Sequence, residues 1–160
     1  MSKQQVQSIF GASADAYVTS QVHAKGASLN RLVELLEPQP DWQMLDVATG
    51  AGHTAFTLAP RVGRVVATDI TSQMLEKTAV GAHERGLINL TVQPADAENL
   101  PFPPASFDLV TCRIAAHHFP DVGRFVAEAA RVLKPGGRLA VVDNIVPGSR
   151  LRGKKADLQR

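Results

Sequence analysis

The sequence predicts an α/β fold, a doubly wound and mostly parallel sheet of about five strands with helices on both faces. Three observations predict it. Short apolar runs at about 43–48, 64–69, 90–93, 107–112 and 137–143 alternate with helical patterns at about 53–61, 72–86 and 121–133. Such alternation builds a parallel sheet with right-handed crossovers. The runs are almost continuously apolar, as expected of strands covered on both faces. Finally, Asp46 to Gly52, Asp69, Asp96 and Arg113 all fall just after a run, and sheets of this kind bind ligands beyond the carboxyl ends of their strands, where strand order reverses.

The elements follow in order. Residues 13–36 read as helical, with Val22, Leu29, Leu32, Val33 and Leu36 at helical spacing, until Pro38 and Pro40 stop the helix. The first strand ends near Asp46 and opens into Ala48-Thr49-Gly50-Ala51-Gly52, where glycine permits a tight turn and close backbone approach to a ligand. A helix from about His53 would aim its unpaired N–H groups at that loop. The second strand, Val65-Val66-Ala67-Thr68, closes on Asp69; a carboxylate there can accept from both hydroxyls of a ribose. The third strand leads into Pro94-Ala95-Asp96-Ala97-Glu98, and the fourth into Arg113-Ile114-Ala115-Ala116-His117-His118-Phe119. In the last helix Val122, Phe125, Val126, Ala129, Val132 and Leu133 make an apolar stripe, with Asp121 as N-cap.

The 160 residues suit one domain with a real core. We read residues 1–146 as that domain, with an N-terminal helical lid over about 1–40, and 147–160 as a basic tail. The tail carries Arg150, Arg152, Lys154, Lys155 and Arg160 against Asp157 alone, so the overall charge of +2 conceals a slightly acidic globule. Such a globule is not built for a polyphosphate partner. The single cysteine, Cys112, cannot form an internal disulfide and reads as a buried strand residue. There is no apolar signal core and no run of bilayer length, so a soluble, cytoplasmic protein without membrane contact is expected.

The loop also fits G-x-G-x-x-A, through Gly50, Gly52 and Ala55, which alone is a weak dinucleotide signal. The later blocks decide against that reading. Asp46 to His53, Asp69, Pro94 to Phe102, Phe107 to Phe119 and Arg131 to Asp143, in this order, resemble class I S-adenosylmethionine-dependent methyltransferases. The ubiquinone/menaquinone-biosynthesis C-methyltransferase group (methyltransferase type 11) is the most similar. The resemblance implies a Rossmann-like fold and methyl transfer to a small organic acceptor, such as C-methylation of a quinone precursor, leaving S-adenosylhomocysteine. It also implies that the sheet normally continues into an antiparallel hairpin, which the residues after Asn144 cannot supply. Either the sequence is cut short there or the fifth strand presents an open edge, and such an edge tends to pair, through a homodimer or an exchanged tail.

The resemblance assigns roles residue by residue. Asp46, Ala48, Gly50 and Gly52 would line the amino-acid half of the cofactor, Asp46 partly through the loop it braces, with Ala48 and His53 standing where the common form has glycines. Asp69 would bind the ribose, Ile70 and Met74 would pack on adenine, Asp96 would accept from its exocyclic amine, and the Ala97 N–H would approach a ring nitrogen. Arg113 would offer its backbone carbonyl to the ammonium group. His117 or His118 could face the substrate as general base, and since adjacent histidines generally point apart, at most one should do so. Tyr17 could cover the sulfonium through cation–π attraction. Phe10 and Phe119 read as core or lid surface. Metal ligation through His118 and Asp121 lacks a third partner, so no metal is expected. The missing Asn-Pro-Pro-aromatic element after the fourth strand argues against nucleic-acid amino-methylation. Two rival readings stand beside this one: a non-catalytic cofactor-binding module acting through a partner, and a nicotinamide-dependent oxidoreductase resting only on the glycine loop.

Overall fold

Strands β1 (Gln43–Val47), β2 (Arg64–Asp69), β3 (Leu90–Pro94), β4 (Phe107–Arg113) and β5 (Leu133–Val142) form one sheet in the order β3-β2-β1-β4-β5. Every neighbouring pair is parallel. The chain builds outward from β1 to β3, then crosses back to lay β4 on the other side of β1. The direction of winding therefore reverses between β1 and β4, which is where doubly wound sheets open a crevice. This computed structural model describes residues 2–13 and 27–144.

Helices α1 (Lys3–Ala12), α2 (Ala27–Leu36), α3 (His53–Leu58), α4 (Ser72–Glu84) and α5 (Val122–Val132) complete the described fold. Successive strand residues point to opposite faces, and each face has its own core. Met44, Val65, Ala67 and Leu109 pack under Leu29, Leu32 and Leu36 of α2 and Ala55 and Leu58 of α3. Leu45, Val47, Val66, Val110 and Cys112 meet Phe125, Ala129 and Val132 of α5 on the other. Phe125 is fully buried; burying an aromatic of this size contributes about 1.5–3 kcal/mol. Asp121 caps α5 as expected, its Oδ1 accepting from the Arg124 N–H at 2.9 Å.

Two elements differ from the sequence reading. The expected helix over 13–36 is described only as Ala27–Leu36, since 14–26 lie outside the described residues, and Ser13 instead ends a separate helix, α1. Helix α1 starts from a capping box: Ser2 Oγ accepts from the Gln5 N–H while the Gln5 side chain accepts from the Ser2 N–H. Strand β5 begins at Leu133, four residues before the expected start. Leu133 pairs with Phe107 and Arg138 with Leu109, so the intervening Lys-Pro-Gly-Gly bulges out. Gly136 sits there at φ 79°, a left-handed conformation suited to glycine. Lys134 fastens the bulge to Asp108 at 2.9 Å.

Candidate functional site

β1 ends one residue after Asp46, and the chain turns at Ala48 (φ 54°), Gly50 (φ 56°) and Gly52 (φ 86°) before entering α3. Gly50 is held on both sides of its peptide: its N–H donates to Asp69 Oδ2 at 2.9 Å, and its carbonyl accepts from Thr78 Oγ1 at 2.8 Å. A Cβ added at Gly50 would meet no atom within 4 Å, so this backbone borders open space. Gly52 differs. A Cβ there would lie 2.6 Å from the Phe56 ring, and one on Gly81 of α4 would lie 2.7 Å from the same ring. Phe56 is thus wedged between the loop and α4, with the Arg85 guanidinium 4.5 Å from its centroid.

The loop forms one wall of an open-mouthed cavity holding about 970 Å³ of empty space, solvent at the mouth included. Among the described residues its wall includes Ala48, Thr49, Gly50, Ala51 and His53 from the loop and α3. β2 and α4 contribute Asp69, Ile70, Thr71 and Met74. Ala95 to Glu98 follow β3, and Arg113 to Ala115 with His118, Phe119 and Pro120 follow β4. The carboxyl ends of four strands therefore converge on one hollow. Ala48, Gly50, Asp69, Ile70, Met74, Asp96, Ala97, Arg113 and His118 stand in its wall where the sequence reading put them together.

Three expected residues among those described do not stand there. Asp46 is buried behind the loop, its oxygens accepting from Thr49 Oγ1 and Thr111 Oγ1, each at 2.6 Å. It therefore braces the turn without reaching the cavity, and burial, opposed by those two hydroxyls, pushes its carboxyl up to about 6. Gly52 is covered by Phe56. His117 is exposed and lies outside the wall. Tyr17 lies outside the described residues. Asp69 is also buried, and burial raises its pKa against the N–H groups of Thr71 and Gly50 that stabilise its charge.

Helix α1 covers one side of the cavity with a face spaced at helical intervals, Lys3, Val6 and Phe10. Lys3 Nζ lies 2.6 Å from Asp96 Oδ2 and 2.9 Å from Glu98 Oε2. Gln7 Nε2 donates to the Ile70 carbonyl at 2.9 Å. Burial works against the Asp96 charge, but Lys3 and the Glu98 N–H hold its pKa below the usual carboxylate range. Phe10 meets the His118 ring edge-on at 4.8 Å.

The two histidines share a 3-10 turn, Ala116–His118, and their ring centroids lie 3.8 Å apart, so they do not point apart as expected of neighbours in extended chain. Only His118 reaches the cavity. Asp143, just past β5, receives the His117 N–H at 2.9 Å and its Nδ1 at 2.6 Å. Burial, and then the neighbouring His117, lower the His118 pKa below the usual imidazole value, so it is neutral at physiological pH. Cys112 is a core residue whose thiol burial pushes up. The sequence reading missed Lys3, Glu98 and Asp143. The strand-end logic that selected Asp69 applies equally to Asp143, the residue after β5.

No group of three His, Cys, Asp or Glu among the described residues could hold a metal ion, and no described helix is long and apolar enough to cross a membrane. A family profile described as a methyltransferase domain matches residues 45–141. The crystal structure of YcgJ from Bacillus subtilis superposes with a TM-score of 0.73 at 43% identity, covering 76% of this chain and 52% of that one. Nocamycin O-methyltransferase of Saccharothrix syringae is 40% identical over 122 residues, which is 74% of this chain and 44% of the relative. The ubiquinone/menaquinone biosynthesis C-methyltransferase UbiE of Rhizobium leguminosarum is 40% identical over 118 residues, 70% of this chain and 46% of that protein. The chain spans about half the length of the curated relatives it matches. With four strand ends around one hollow and the profile covering more than half of the sequence, the chain belongs to the S-adenosylmethionine-dependent methyltransferase domain family.

Proposed function

We propose that the protein transfers a methyl group from S-adenosylmethionine to a small, electron-rich organic acceptor, with His118 as the base that accepts the acceptor's proton. The observation that carries this reading is the convergence of Gly50, Asp69, Asp96 and His118 on one cavity. The residues suit the cofactor. The open space at Gly50 admits its amino-acid half, Asp69 has lone pairs beyond those given to Gly50 and Thr71 for two ribose hydroxyls, and Asp96 with the Ala97 N–H suits an adenine edge. The sulfonium supplies an already activated methyl, so alignment and exclusion of water provide most of the acceleration.

Within that reading α1 excludes water from the adenosine side, and Lys3 must share or yield Asp96 when adenine arrives. Neutral His118 is ready to take a proton, while Asp143 fixes the His117 ring beside it. Quinol or phenol acceptors fit a base at this place and serve for either carbon or oxygen methylation, the two chemistries named in the relatives. Calorimetry with S-adenosylhomocysteine, followed by radiolabelled methyl transfer to quinols and phenols, tests it: binding and transfer are expected, and absence of binding overturns it. Binding without transfer favours the cofactor-holding module. His118→Asn should lower kcat by about 10²–10⁴-fold, keep S-adenosylhomocysteine affinity, and remove the fall in rate below the usual imidazole range. A second copy pairing along β5, at the margin of the described sheet with Val141 exposed, belongs to the same proposal. Light scattering that finds a monomer at high concentration rejects the pairing.

A further inference from the structure

We propose that Asp143 is a positioning residue for His118: its carboxylate clamps His117, and the clamped imidazole holds the His118 ring against Phe10 at the cavity wall. The assignment rests on the reading of His118 as the base and names the residue that sets its aim.

The segment between β4 and α5 does not keep its shape by itself. Ile114 leaves β4 at φ 55°, a left-handed conformation that a β-branched side chain resists. Backbone of this kind persists only where neighbouring structure fixes it. The 3-10 turn that follows sends adjacent side chains about 120° apart. Yet the His117 and His118 ring centroids lie 3.8 Å from each other. A group outside the turn must therefore hold one ring toward the other.

The end of β5 supplies that hold. The Val142 carbonyl accepts from the Ile114 N–H at 2.7 Å. One residue on, Asp143 takes His117 with both oxygens: Oδ2 accepts from the main-chain N–H at 2.9 Å, and Oδ1 lies 2.6 Å from Nδ1. The carboxylate is itself pinned, since Oδ1 also accepts from the Asn144 N–H at 2.8 Å. Burial works against its charge, but the Asn144 N–H and the two His117 groups hold its pKa below the usual carboxylate range. An ionised carboxylate only accepts, so His117 carries a proton on Nδ1. Two charge-assisted bonds to one residue fix its backbone and its ring together.

His118 then stands between two rings, with the His117 centroid at 3.8 Å and that of Phe10, from α1, at 4.8 Å. It is half-buried and lines the cavity, whereas His117 is exposed and lies outside the wall. The clamp thus falls on the histidine that does not reach the acceptor and acts through it on the one that does.

Removing Asp143 separates aim from charge. His117, Asp143 and the chain's amino terminus act on the His118 charge, while Lys3, the cation that α1 brings to the wall, is bound to Asp96 and Glu98. Burial is the largest influence lowering the His118 pKa, and Asp143 opposes it. Loss of the Asp143 charge alone therefore lowers the His118 pKa further. Loss of the clamp frees the ring into solvent and raises it toward the usual imidazole value.

NMR of histidine-labelled protein across pH, with His118→Asn assigning the signal, reads this shift without any acceptor. Asp143→Ala and Asp143→Ser should each move the His118 midpoint up. Both should leave S-adenosylhomocysteine affinity within about twofold and lower kcat on quinols or phenols by up to about 10²-fold, the scale of a 1 Å misplacement. Asp143→Asn, which still accepts the main-chain N–H of His117 but carries no charge, should keep the midpoint low and lose less of kcat. A midpoint that falls or stays put in the two truncating variants reduces Asp143 to a surface charge and overturns the proposal. Equal loss of kcat in all three variants overturns it too, as does a fall in S-adenosylhomocysteine affinity that matches the fall in kcat. Wild-type protein that transfers no methyl, while the truncating variants show the upward shift, rejects His118 as the base and upholds the clamp.

Discussion

Asp46 and Asp69 make an instructive pair. Both are buried aspartates near the carboxyl ends of adjacent parallel strands, both have raised pKa values from burial, and each feels the other's charge or the same glycine loop. Their positions differ by one step. Asp46 precedes the last residue of β1, in register with Ala67 and Thr111, so neighbouring strands enclose it and two threonine hydroxyls consume its oxygens. Asp69 is the last residue of β2, so its carboxylate escapes the sheet, grips the Gly50 N–H and borders the cavity. A strand-end acid thus becomes a buried brace or part of the cavity wall according to whether the strand runs past it.

Removing each carboxylate should break the pair apart. Asp46→Ala orphans the Thr49 and Thr111 hydroxyls and should cost roughly 2–6 kcal/mol of stability, at about 1–3 kcal/mol per unsatisfied group. Urea melts measure it, and affinity of the folded fraction for S-adenosylhomocysteine should change far less. Asp69→Ala should weaken S-adenosylhomocysteine by about 1–3 kcal/mol, the loss expected when charged hydrogen bonds go; unchanged affinity would move the ribose elsewhere.

The pH dependence sharpens the contrast at Asp46. Its folded pKa of about 6 lies above the ordinary 3.8, so between these values the folded state holds the proton more tightly than the unfolded chain. Its stabilising contribution is complete below about pH 4 and lost as pH rises through about 6. Urea melts across that window should show wild type losing on the order of 3 kcal/mol relative to Asp46→Asn. Asp69 contributes with the same sign to both proteins, so the difference reports Asp46 together with its coupling to Asp69. The smallest effect lies between the two acids. Ala48 occupies a left-handed conformation at φ 54°, and Ala48→Gly should raise the melting point by relieving up to about 1 kcal/mol of backbone strain.

Much of this was legible in the sequence. The five strands follow from uninterrupted apolar runs, and the crevice follows from counting where those runs end. Ala48 was readable as a residue in a glycine's place, and the structure shows why that place favours glycine. The remainder depended on contacts between distant segments. Lys3 meets Asp96 across 93 positions and His117 meets Asp143 across 26, and no local periodicity encodes either meeting. Asp46 was read both as a brace of the loop and as part of the cavity lining, and only the brace is seen, because the pattern locates a strand's end only to within a residue, and one residue decides which way its carboxylate faces. Helix α1 was read only as part of a helical lid over about 1–40, and its own start at Ser2 and Gln5 was missed, since its apolar face holds little more than Val6 and Phe10.

The wedge formed by Phe56 has a consequence for anyone altering this protein. Gly52 and Gly81 clasp the same ring, so the far helix and the ligand-side turn share a mechanical hinge pin. A single methyl added at the buried Gly81, outside the cavity wall, pushes the ring toward the turn. Substitution at Gly81 is therefore felt by the glycine turn through Phe56, without editing any residue of the cavity wall.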